Sequence, residues 1–308
     1  MDCGHVVRGL GVSLVLVSIA AAVPRPAVAQ SDIIGRAFRL DNQGQQDEAI
    51  ALYGQALSRD PMSFDAHYGI ARALDLKGNY SEAREHFSKA IELAPDDGSR
   101  DQALRMMGVS WTFVGDAKRA IPFFTRVFDR RLSAHDLAGA AEVANEVGRV
   151  LVELGDLDGG FEWYQKGFET AERQAKPSAA DRGLAEMRWA HAQARIAIRR
   201  GKAGEARRQA AIVKSLIDRR PNPDQRLQLP YLLGYIAFYS NEYTRAIAEL
   251  QQADQQDPFI LALLAQAHER TGNVARAAEY YRKVLSSNSH AVNNAFARPL
   301  ARRKLARP

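Results

Sequence analysis

Leu76-Lys77-Gly78-Asn79-Tyr80-Ser81-Glu82-Ala83-Arg84 reads as a tight turn between two helices, with Gly78 supplying the left-handed residue that stops the first of them. The pattern occurs earlier as Asp41-Asn42-Gln43-Gly44-Gln45-Gln46-Asp47-Glu48-Ala49-Ile50. It returns at Gly115-Asp116 with Ala120, Gly155-Asp156 with Gly160, Gly201-Lys202 with Ala206, Asn241-Glu242-Tyr243 with Ala246, and Gly272-Asn273 with Ala277. The turns lie 34, 37, 40, 46, 40 and 31 residues apart. A period in this range with helical patterning on both sides of each turn means stacked helix pairs.

Two positions per copy carry the close crossing of the paired helices, and both must be small for the backbones to approach. On the first helix they are Ala37, Ala71, Gly108, Gly148, Ala194, Gly234 and Ala265; on the second, Ala49, Ala83, Ala120, Gly160, Ala206, Ala246 and Ala277. All fourteen are Ala or Gly. Large residues fill the positions beside them: Tyr53, Phe87, Phe124, Tyr164, Leu250 and Tyr281. Pro61, Pro95 and Pro258 stand where one copy hands over to the next.

On these residues the chain resembles the tetratricopeptide-repeat family, whose unit is about 34 residues long. The resemblance covers residues 30–287, with copies near 30–63, 64–97, 101–134, 141–174, 187–220, 227–260 and 258–287. It implies an all-α, right-handed superhelical solenoid of about seven antiparallel helix pairs. The middle copies depart from the pattern: the spacing stretches to 46 residues between Gly155 and Gly201, and Pro177-Ser178-Ala179-Ala180-Asp181 opens a long helix with a capping-box-like start. Pro230 either begins the helix through Leu232-Leu233-Gly234 or kinks one starting near Pro223.

At the N-terminus, Arg8, the uncharged run Gly9–Val23 and Pro24-Arg25-Pro26-Ala27-Val28-Ala29 match a secretory signal peptide over residues 1–29, cleaved after Ala29. The expected location is therefore extracytoplasmic, in the periplasm or an equivalent space, with an uncleaved membrane anchor as the alternative. Cys3 is the one cysteine and lies in this leader, so a mature chain has no thiol for disulfides, catalysis or metal. The C-terminal segment, residues 288–308, is basic. Its Phe296, Leu300 and Leu305 are expected to lay a short capping helix over the apolar end of the stack; contact with anionic lipid or nucleic acid is the alternative.

Hydrophobic residues make up 46% and charged ones 25%, the profile of a folded chain, and the net charge of +6 permits an anionic partner without demanding one. No phosphate-cradling glycine loop is present, Gly108-Val109-Ser110-Trp111-Thr112 misses the nucleophile-elbow pattern, and the histidines are not spaced as metal ligands on one helix. Asp96-Asp97 sits at a repeat boundary, where helix capping accounts for it. The expectation is a binding protein: no enzyme, no cofactor, no metal.

The resemblance implies a concave groove lined by the first helix of each pair, and with it an expected set of partner-contacting residues. These are Tyr68, Arg72, Arg105, Phe113, Asn145, Arg149, His191, Arg195, Arg199, Tyr231, Tyr235, Phe238 and Tyr239. Arginine forks suit a carboxylate and tyrosines supply contact area at low entropic cost, so an extended protein or peptide segment is the expected partner. The competing reading of each residue is packing between copies. Charge is uneven as well: Ala141–Gln174 has eight acidic and three basic residues, and Arg195–Arg220 nine basic and two acidic. The two modules either attract each other within the stack or leave the basic one as a patch for an acidic partner or an anionic membrane surface. Nucleic acid is disfavoured by export, and the oligomeric state is left open. Cell-envelope assembly or organisation is the expected setting of such an adaptor.

Overall fold

The computed structural model describes Met1, residues 26–219 and residues 225–306, and among these it contains fifteen α-helices and no strand. The first fourteen form seven antiparallel pairs: α1 (Pro26–Asn42) with α2 (Gln46–Arg59), α3 (Phe64–Lys77) with α4 (Tyr80–Leu93), α5 (Asp97–Phe113) with α6 (Ala117–Ser133), and α7 (Leu137–Leu154) with α8 (Leu157–Glu172). They continue as α9 (Ala179–Arg199) with α10 (Ala203–Arg219), α11 (Gln228–Tyr239) with α12 (Tyr243–Leu250), and α13 (Pro258–Arg270) with α14 (Val274–Leu285). α15 (Val292–Leu305) follows the last pair.

All seven turns found in the sequence carry a left-handed residue. Six are glycines and the seventh is Asn241, at φ 61°, whose short amide side chain tolerates the conformation. At Gly78 the cap is complete: its N–H donates to the Leu74 and Asp75 carbonyls, and that of Asn79 donates to Leu74. The following helices start on carboxylates: Asp116, Asp136 and Asp156 each accept a hydrogen bond from the backbone N–H three residues on. Asp96 caps α5 through Ser99 N–H at 2.7 Å, and Ser178 with Asp181 forms a reciprocal capping box at the start of α9. α9, at 21 residues, accounts for the stretched middle spacing. Pro230 lies in the first turn of α11, so it opens that helix.

The small residues sit at contact points. An added β-carbon on Gly108 would lie 2.5 Å from the Phe124 ring, one on Gly148 2.7 Å from the Tyr164 ring, and one on Gly234 2.5 Å from Leu250. In these three pairs the first helix thus receives the bulky residue of its partner directly on its backbone. Burial is divided into successive clusters along the stack, as expected when each pair packs mainly on its neighbours.

α15 packs Phe296, Leu300 and Leu305 against the C-terminal core, as the expected cap does, and also reaches beyond it. It packs on α13 and α14, then crosses the inner side of the solenoid to touch α5 and α7. Its Ala295 belongs to the middle core, whereas Ala297 and Ala301 belong to the C-terminal core. Phe296 packs edge-on against Phe259 at 6.0 Å. The polar side chains explain the path. Arg298 donates to the carbonyls of Leu76, Leu285 and Ser287, and Arg302 donates to Leu76, so both satisfy carbonyls at the end of α3. Just before α15, Asn288 donates to the Asn42 carbonyl and accepts from Gln46. One segment therefore ties the first three pairs to the last. The expected leader lies largely outside the described residues, α1 includes Ala29, and among the described residues no helix is long and apolar enough to cross a membrane.

Candidate functional site: a divided concave face

The first helices of the pairs line the inner face, as the expected groove requires. The segment before α15 runs over that face and divides it. On its N-terminal side lies a cavity of about 840 Å³ walled by Phe38, Phe64, Tyr68, Arg72 and Gln102. A second cavity of about 640 Å³ shares Phe38, Tyr68, Arg72 and Gln102 with it and ends against Arg105, Asn288 and His290. On the other side a chamber of about 460 Å³ is walled by Arg149, Met187, His191, Tyr231 and Val292, with Arg105 and Asn145 at one end. Arg105 reaches both sides.

In the N-terminal cavities Arg72 lies 3.6 Å from the buried carboxylate of Asp41, its guanidinium 5.5 Å from the centre of the Phe38 ring. Burial raises the Asp41 carboxyl, with Arg72 opposing that shift. Phe38 is 47% exposed, and Gln102 is exposed with its amide hydrogen-bonded to Tyr68, so an aromatic face remains open beside a guanidinium.

Arg105 is held by Glu146 at 3.0 Å and Glu142 at 3.4 Å. Asn145 donates to the Ala141 carbonyl. Phe113 does not line the groove: it is buried, stacked on Tyr80 at 5.6 Å and facing His290 at 5.5 Å. α5 turns its last residues toward the core at the point where the C-terminal segment covers it.

Between α9 and α11 three expected groove residues close on one carboxylate, and a fourth, Tyr239, packs beside them. Glu153 accepts from Arg195 at 2.9 Å and from the Tyr235 hydroxyl at 3.2 Å, and pairs with Arg199 at 3.4 Å. Arg199 also donates to the Tyr235 and Tyr239 hydroxyls and lies 4.8 Å from the Tyr239 ring centre. Tyr235 is fully buried and Arg195 is 3% exposed. Burial, with the Glu153 charge beside it, holds the Tyr235 phenol far above its ordinary value. Phe238 packs against Tyr239 and Tyr243. Here the packing reading of the stripe holds. Tyr231 is the exception, turned into the central chamber beside Arg149 and His191.

Glu153 and the lining residues Asn288, His290, Val292 and Asn293 escaped the sequence reading. His290 is anchored deeply: its Nε2 is 2.7 Å from Asp75 Oδ2, while Ser110 Oγ donates to Asp75 Oδ1 at 2.9 Å. The carboxylate stands between imidazole and hydroxyl, so the imidazole does not adjoin the serine and the trio lacks the serine–imidazole–carboxylate order of a hydrolase triad. Burial raises the Asp75 carboxyl, and its hydrogen bond with His290 opposes that shift. Among the described residues no group of three or more His, Cys, Asp or Glu is placed to hold a metal ion.

A profile of the tetratricopeptide repeat matches residues 36–98 and 231–292. No curated protein sequence matches the chain. Among solved structures, a tetratricopeptide repeat protein from Parabacteroides merdae superposes with a TM-score of 0.53 at 14% identity, covering 83% of this chain and 92% of that one. The apo form of RapI gives a TM-score of 0.55 at 11% identity, over 91% of this chain and 100% of that one. A Rap protein complexed with Competence and Sporulation Factor gives 0.52 at 14% identity, over 82% and 72%. These identities carry the fold and nothing finer.

Proposed function

We propose that the chain, whose residues 36–98 and 231–292 match the tetratricopeptide repeat, is an exported scaffold of that family whose concave face holds protein or peptide partners, in the assembly or organisation of the cell envelope. The observation that carries the reading is the open N-terminal cavity, where exposed Phe38 and Gln102 stand beside Tyr68 and Arg72 on the inner helices. An aromatic face next to a guanidinium is the composition of an interface anchor. One neighbour of this fold, the Rap protein, is complexed with Competence and Sporulation Factor, so a solenoid of this shape accommodates a bound factor. Export rests on the leader-like sequence of residues 1–29.

The polyanion or membrane reading has less behind it. Arg195 and Arg199 are engaged by Glu153, Arg200 by Asp158 and Arg207 by Glu242. In the C-terminal segment Arg298 and Arg302 are engaged by carbonyls and Lys304 by Glu269. Much of the basic character thus faces inward or is neutralised.

In-cell photo-crosslinking tests the proposal. A crosslinker at Gln102 should capture a discrete protein partner in the envelope fraction, and one at Val274, 70% exposed on α14, should not. Equal capture at both positions, or capture of cytoplasmic proteins alone, contradicts it.

A further inference from the structure

The central chamber holds a cation without a counter-ion. Arg149 projects from α7, and its Nε and Nη2 are buried and donate to no partner. These two atoms form one edge of the guanidinium, the edge that grips a carboxylate with two parallel hydrogen bonds. The group is fixed from behind, 4.7 Å from the Phe259 ring centre and 5.7 Å from that of Tyr231. Two further polar atoms of the same chamber are equally unpartnered: the Tyr231 hydroxyl, on a residue 4% exposed, and His191 Nε2, on a residue 8% exposed. The two rings lie 5.4 Å apart.

The nearby carboxylates do not answer Arg149. Glu142 and Glu146 are held by Arg105, and Glu153 by Arg195, Arg199 and Tyr235. Burial keeps the Tyr231 phenol protonated, able to donate to an anion. Burial, reinforced by Arg195 and Arg149, keeps His191 neutral, so it adds a hydrogen bond and no charge. One unpaired fork calls for one negative charge in a planar group. Met187, Ala192 and Val292 give the remaining wall an apolar character suited to a carbon skeleton.

We propose that the chamber between α7, α9 and α11, closed on one side by Val292 and Asn293, binds an organic carboxylate seated on the Arg149 fork and the Tyr231 hydroxyl, with its apolar body against Met187 and Val292. The carboxylate belongs either to a free small acid or to the C-terminus of a peptide. The inference deepens the partner-binding reading of the same concave face and is tested apart from it.

Isothermal titration of the full chain with hexanoate, with N-acetyl-Ala-Leu as the free acid, and with the same dipeptide amidated decides the matter. The free acids should bind saturably, and the amide at least about tenfold more weakly, because it cannot answer the guanidinium charge. Arg149→Leu should weaken the acids by well over tenfold, and the isosteric Tyr231→Phe by about tenfold, as for one hydrogen bond lost to a charged group. Lys89→Leu, an exposed cation on α4 that lines neither cavity, should change nothing. Tighter binding of hexanoate identifies the small acid as the source, and tighter binding of the dipeptide acid identifies a peptide end. Equal binding of acid and amide, no saturable binding of either acid, or unaltered binding by both Arg149→Leu and Tyr231→Phe overturns the proposal. Partner capture at Gln102 that persists in Arg149→Leu would leave the groove reading standing whatever becomes of this site.

Discussion

The inner faces of α3–α5 and of α9–α11 present the same chemistry, arginine beside tyrosine on the first helix of a pair, and the protein uses it in opposite ways. At Tyr68, Arg72 and Gln102 the groups border open cavities. At Arg195, Arg199 and Tyr235 they converge on Glu153, with the Tyr239 hydroxyl held by Arg199, and are consumed in packing. The difference lies in what the preceding pair provides. α7 delivers a carboxylate, 4% exposed at its side chain, into the α9–α11 interface. In the N-terminal region Asp41 answers Arg72 from a longer 3.6 Å and leaves its aromatic neighbours uncovered. Position on the helix decides which residues face inward; a counter-charge on the neighbouring pair decides whether they stay available.

The largest effect should come from breaking the closed region. Glu153→Leu leaves Arg195 buried without its carboxylate and should destabilise the protein by about 3–5 kcal/mol, read from urea unfolding. A loss below about 1 kcal/mol would mean that the cluster is solvated and that the contrast drawn here is false. Next comes the crossing between the two regions. Gly148→Ala places a methyl group 2.7 Å from the Tyr164 ring and should cost about 1–3 kcal/mol in the same measurement.

His191 gives a smaller, pH-dependent effect. Its folded pKa lies well below the ordinary 6.5, so the unfolded chain takes up a proton there before the folded one does. Stability from the neutral ring is present above that value and is lost as pH falls, by about 1.4 kcal/mol per pH unit. His191→Gln should therefore lose less stability than the parent chain between pH 6.5 and about 5.5, and parallel profiles would place the ring in water. The smallest stability change belongs to the open region: Gln102→Ala should stay within about 0.5 kcal/mol of the parent while weakening partner capture.

The solenoid was readable because its signals are local. Gly78 and its six counterparts stop helices within a few residues, and Gly108 and Gly148 mark crossings to Phe124 and Tyr164 of the same pair. The site was only half readable. Facing positions on successive helices follow from the repeat, which located Tyr68, Arg72, Arg149 and Tyr231 on the inner face. The fate of those residues depends on contacts between distant parts of the chain. Arg298 reaches the Leu76 carbonyl across 222 residues and His290 reaches Asp75 across 215, contacts set by the curvature of the whole stack. The basic C-terminal segment was legible as a cap on the last pair, but its second destination, the end of α3, lies nowhere near it in sequence.

The most direct test of the contrast is the affinity of the partner captured at Gln102 for two single-site variants of the full chain. Phe38→Ala removes the exposed ring of the open cavity and should weaken binding by about tenfold or more. Tyr235→Phe, inside the closed cluster, should leave the affinity within about twofold. The reverse order, with Tyr235→Phe the damaging change and Phe38→Ala silent, would contradict the account.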